Sequence, residues 1–205
     1  MPLKEFLKQN KNWIIIALII FLAGMAFSGL PTYAGTGRQI NLEQLLGPQS
    51  GDLADIVKTL QDLPPLAMVF MILINNLISV AQMLLLGFLA GLSPLFTLFV
   101  NGALMGAIAG TIAREGQPLL LFFFLGILPH GIFELPAFFI CGALGLKFGY
   151  HCIASPLPGM SRKQSFFHIW KESASLFRLI ISLLALGALV EVYISKALVF
   201  NFLVP

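Results

Sequence analysis

His130 and Glu134 lie four residues apart inside the nearly unbroken apolar run 119–150, LLLFFFLGILPHGIFELPAFFICGALGLKFGY, where Pro129 and Pro136 bracket them. That spacing puts both side chains on one helix face. An imidazole and a carboxylate so placed can form an ion pair, share a neutral hydrogen bond, or offer two ligands to a cation. Zinc takes three or four protein ligands, so no metal site is assigned. Asn75, Asn76 and Asn101, in other apolar runs, are the natural hydrogen-bonding partners of the pair. The sequence has no HExxH, no phosphate loop and no dinucleotide fingerprint. No Ser-His-Asp pattern is present either, so neither a catalytic set nor a cofactor is expected. His151, Cys152 and His168 read as ordinary wet groups near one membrane face.

Such a pair in so apolar a run requires a membrane. Of 205 residues, 58% are hydrophobic and 10% charged, against roughly 25% charged in soluble domains. The expected fold is all-α, a single polytopic helix bundle over residues 1–205 with about five transmembrane helices. Residues 13–30 form an uncharged run behind Lys4, Lys8 and Lys11. Its length, near the ~20 residues of a span, favours a retained helix over a signal peptide. Residues 66–113 contain no Asp, Glu, Lys or Arg and supply two spans, 66–90 and 95–113, with a turn at Gly91-Leu92-Ser93-Pro94. Gly102, Gly106 and Gly110 share one face, and Gly87 and Gly91 repeat the spacing. This small-xxx-small pattern predicts close packing of these two hairpin helices. Residues 118–147 are too long for a straight crossing and should break near Pro129, as one kinked span or a re-entrant pair. The last span is 176–199.

Between the first two spans, 31–65 is a net-acidic loop. Leu53, Ile56, Val57, Leu60 and Leu63 fall at helical spacing, which predicts a short amphipathic helix. Its polar residues Asp52, Asp55, Lys58 and Asp62 form either a face over the membrane surface or a docking face for a partner. A second polar stretch, 148–175, is basic. Ser161 and Gln164 make a capping box, and the following aromatic and basic residues suggest an interfacial helix on anionic lipid. Lys147, Arg162, Lys163, Lys171 and Arg178 are all counted on that side. Nucleic acid is not the expected partner of this charge; the lipid bilayer is. With the N-terminus in the cytoplasm, both basic segments fall inside and the C-terminus outside, as the positive-inside rule asks.

The string Asn101-Gly102-Ala103-Leu104-Met105-Gly106, followed by Leu128-Pro129-His130-Gly131-Ile132-Phe133-Glu134-Leu135-Pro136-Ala137, resembles the stage II sporulation protein M family. There an NG-x-x-x-G helix precedes a PHG-x-x-E-x-P-A run, and Asn75-Asn76 matches a recurrent position. The resemblance covers 70–150. It implies a multispanning protein of the cell membrane without catalytic activity of its own, in a broad family that includes members outside spore formers. The resemblance implies a scaffold role, since the sporulation member looks like the scaffold of a septal complex with two membrane-anchored peptidoglycan-degrading proteins, sporulation proteins D and P.

The leading expectation is therefore a non-enzymatic scaffold that organises extracytoplasmic partners, with 52–63 as its docking face. The alternative is a small transporter or channel-like protein using the His130, Glu134 and asparagine site at mid-depth. A chain this small would need homo-oligomerisation to enclose a path. An intramembrane hydrolase is disfavoured.

Overall fold

In a hydrocarbon medium every backbone N–H and C=O must find its partner within the segment, which leaves the helix as the only open-ended solution. The computed structural model describes residues 3–36, 63–195 and 197–198, and among them no strand occurs. A short helix α1 (Leu3–Gln9) leads through Asn10 into α2 (Lys11–Ala34). Then come α3 (Pro65–Leu85), α4 (Leu92–Arg114), α5 (Leu119–Phe122), α6 (Leu128–Ile153) and α7 (Arg162–Val190). Two π-helical segments, Phe123–Ile127 and Glu191–Ser195, also occur among the described residues. The protein is a polytopic all-helical bundle with five helices long and apolar enough to cross a membrane. Asp52, Asp55, Lys58 and Asp62, the expected docking face, lie outside the described residues.

The most extensive helix interface joins α2 to α4, and the next joins α6 to α7. Glycine explains the first. A Cβ on Gly102 would land on the Phe21 carbonyl oxygen, one on Gly106 on that of Met25, and one on Gly110 on that of Gly29. The approach is mutual, because a Cβ on Gly24 would meet the Phe99 carbonyl and one on Gly29 that of Gly106. This corrects the expected partner: the stripe packs against the first span, not against the other half of its own hairpin. The reciprocal glycines of α2 decide the choice. Gly87 and Gly91 are not in a helix either, since α3 stops at Leu85. Ala90 and Gly91 turn the chain at φ 57° and 70°, and the turn lies on Gly145, Leu146 and Gly149 of α6.

Residues 119–153 form one continuous helical rod, so the re-entrant alternative is set aside. Pro129 sits in the first turn of α6, inside the rod, where its missing N–H interrupts the helical hydrogen-bond ladder. The irregularity falls ahead of it as the π segment, and Pro136 continues inside the helix. A second correction concerns the basic stretch. Ser161 and Gln164 do form the capping box, but the helix they start runs unbroken into the last span through Ser195. At 1.5 Å per residue this rod is about 50 Å long, well beyond a ~30 Å hydrocarbon layer. No separate interfacial helix exists there, because Ser165, Ile169, Glu172 and Leu176 keep one face buried across the supposed boundary.

Lys147 is likewise not a loop charge. It is buried in α6 and pairs with Glu172 of α7 at 2.6 Å. Asn10 closes the triad: its Nδ2 donates to Glu172 Oε1 at 2.6 Å and its Oδ1 accepts from Lys147 Nζ at 2.8 Å. Every polar atom of the cluster is thus matched, and it ties α2, α6 and α7 together at one end of the bundle. Trp13, tilted against Tyr150 and edge-on to His151, marks the same end.

Two outcomes follow for stability in detergent or lipid. Gly106→Ala, which forces a Cβ onto backbone, should cost about 1–3 kcal/mol and lower the melting temperature. Gly131→Ala meets only side-chain carbons at 3.5 Å and beyond and should leave it unchanged; equal melting of the two variants would contradict the packing. Lys147→Met strands a buried carboxylate and should cost about 3–5 kcal/mol. Adding Glu172→Leu should restore most of the loss, and a double variant no better than the single would refute the pairing.

Candidate functional site

The first turns of α6 lie against the middle of α3 and the end of α7, with the middle of α4 across a cavity. Asn76 of α3 donates from Nδ2 to Glu134 Oε1 at 2.9 Å. His130 and Glu134 are both half-buried on one face of α6, as their spacing requires. They do not satisfy each other. His130 Nδ1 instead lies 3.1 Å from the hydroxyl of Ser195, which is buried at the end of the π segment that continues α7. Glu191 comes from the same turn. One ligand-type atom from each of His130, Glu134 and Glu191 lies within 4.8 Å of the other two.

Backbone shape makes room for this convergence. A Cβ on Gly187 would coincide with Glu134 Cγ, so glycine is what lets the carboxylate lie against α7. The π segments Phe123–Ile127 and Glu191–Ser195 contact each other directly. A π turn widens the helix by one residue and is frequent where a side chain must be re-aimed at a functional site. Here it turns Glu191 and Ser195 toward α6.

Two cavities meet at the cluster. One of about 170 Å³ lies between α3, α4 and α6 and is lined by Asn75, Asn76, Asn101, His130 and Glu134 among others. The second, about 460 Å³, is lined by Met71, Ile72, Asn75, Asn76, His130, Glu134 and Glu191. No lysine or arginine lines either one among the described residues. The structure therefore brings Asn76, His130 and Glu134 side by side, in two separate hydrogen-bonded pairs, Asn76 with Glu134 and His130 with Ser195, and leaves the other two asparagines at the margin. Asn101 bonds back to the Thr97 carbonyl of its own helix at 2.8 Å, and Asn75 is an exposed wall of both cavities. His151 bonds the Ser155 carbonyl, while His168 is exposed on α7.

Gly187, Glu191 and Ser195 are the residues that sequence reasoning missed. A signal was present. They recur at i, i+4, i+8 in the last apolar run, the spacing of one small and polar helix face.

Comparison with known proteins agrees with the motif. The Stage II sporulation protein M family matches over residues 17–196, which takes in every residue of the cluster. An uncharacterized protein of the archaeon Methanocaldococcus jannaschii is 31% identical over 182 residues, covering 89% of this chain and 93% of that one. No solved structure matches.

If the larger cavity holds water, exposure to water and exposure to lipid must separate along α3. With Cys141 and Cys152 replaced by alanine, Asn75→Cys should react with a membrane-impermeant methanethiosulfonate reagent applied to one face. Ile78→Cys, on a residue 53% exposed on the same helix, should stay unmodified in lipid. Equal reactivity at the two positions would contradict a wet cavity.

Proposed function

The chain belongs to the Stage II sporulation protein M family, and we propose that within it this protein is a non-enzymatic carrier of a small cation. Asn76, His130, Glu134 and Glu191 form its intramembrane binding site. One observation carries the reading: two carboxylates and an imidazole converge with no lysine or arginine in the lining described, beside cavities that border the same groups. Ionisable groups are costly at membrane depth and mark ion pathways when they line a cavity. A fixed excess of carboxylates favours a cation over an anion or a neutral solute. The carrier sits in the plasma membrane with its N-terminus in the cytoplasm and its C-terminus outside. In that orientation the acidic segment 31–65 faces outward and could gather cations.

Family membership favours a second reading, a scaffold that gathers extracytoplasmic partners such as membrane-anchored peptidoglycan hydrolases through Asp52, Asp55, Lys58 and Asp62. Under it, charge reversal at these four positions abolishes partner capture, and Glu134→Gln does not.

Purified protein in liposomes loaded with cation-sensitive dyes distinguishes the two. The carrier reading expects flux of at least one inorganic cation above empty liposomes and a loss of about tenfold or more in Glu134→Gln. Flux indistinguishable from empty liposomes for every cation would overturn it.

A further inference from the structure

We propose that the cation is a divalent first-row transition metal, bound by His130, Glu134 and Glu191, with Ser195 and Asn76 as positioning residues. This rests on the reading of the cluster as a cation site and names its ligand chemistry.

The donor set has one imidazole nitrogen and two carboxylates from two different helices, all within 4.8 Å. Zinc bonds to such groups at about 2.0–2.2 Å, so a bound ion would draw the three inward from the geometry seen. Two carboxylates balance a double positive charge, and no described lysine or arginine of the lining competes for it. Imidazole moves the preference away from magnesium and calcium, which take oxygen ligands. The absence of cysteine from both linings argues against the softest ions. Manganese, ferrous iron and zinc are the class that fits.

The surroundings resemble what orients ligands at metal sites. A ligating histidine generally uses its second nitrogen in a hydrogen bond that fixes ring orientation and tautomer. His130 Nδ1 is engaged by Ser195, which leaves Nε2 to offer to the ion. Glu134 Oε1 is held by Asn76, which leaves its second oxygen. Gly187 supplies the space in which that carboxylate sits. Three protein ligands also leave a position open toward the cavity of about 460 Å³, as a site that must exchange its ion requires.

The test uses the full chain in lipid nanodiscs, titrated separately with Zn²⁺, Mn²⁺, Mg²⁺ and Ca²⁺ by calorimetry. The expected result is one saturable site for Zn²⁺ and Mn²⁺ and none of comparable affinity for Mg²⁺ or Ca²⁺. Glu134→Gln, Glu191→Gln and His130→Gln should each weaken it at least tenfold, and Ser195→Ala by about tenfold through the second bond to the ring. If a variant melts early, wild type alone suffices: the electron spin echo of bound Mn²⁺ should show coupling to a histidine nitrogen. No saturable site, binding unmoved by all three ligand substitutions, or a manganese signal without nitrogen coupling would each overturn the proposal. Monovalent flux that depends on Glu134 without metal binding would overturn the metal and leave the carrier. Metal binding without flux of any cation would do the reverse.

Discussion

A charge inside a membrane has to be neutralised, and this bundle places two clusters of ionisable groups along one helix pair. At one end of α6 and α7, Lys147 and Glu172 balance each other, with Asn10 completing every hydrogen bond. Farther along the same two helices, Glu134, Glu191 and His130 approach one another, with an amide and a hydroxyl in attendance. The first cluster is closed and internally matched, as befits a lock. The second has an excess of acceptors, two carboxylates and a cavity. That asymmetry separates architecture from function here: a matched triad ties helices together, whereas an unmatched one calls for something to complete it.

The rest of the fold serves the geometry of that second cluster. Because lipid is as apolar as leucine, helices in a bilayer associate through close backbone contact and polar bonds rather than hydrophobic exclusion. Gly24 and Gly29 against Gly102, Gly106 and Gly110 bind α2 to α4 largely backbone to backbone. That rigid pair forms one wall of the smaller cavity through Phe21 and Asn101. The opposing wall is made from α3 and α6, with Ile127 of the first π segment and Leu184 of α7.

Much of this was legible in the residues. Long uncharged runs gave five spans, and His130 and Glu134 stood out because nothing apolar explains them. Pro129 correctly marked an irregularity, although the helix absorbs it as a π turn just ahead of the proline instead of breaking. Other features were hidden for identifiable reasons. Lys147 looked like a loop charge because periodicity does not reveal that Glu172, in a separate helix, comes to meet it. The glycine stripe of α4 was plain, but its partner was set by Gly24 and Gly29, which are unremarkable within their own run. Glu191 lies close to the end of the last span, where a carboxylate is usually solvated. Only the tertiary arrangement turns it toward Glu134.

The central claim is that the His130, Glu134 and Glu191 cluster binds a cation within the membrane-spanning bundle. Anomalous diffraction from crystals of the full chain grown with Mn²⁺ tests it most directly. The account predicts a peak centred among those three side chains, lost in Glu134→Gln crystals grown the same way. Density showing manganese only elsewhere, with the three side chains apart and no peak between them, would contradict it.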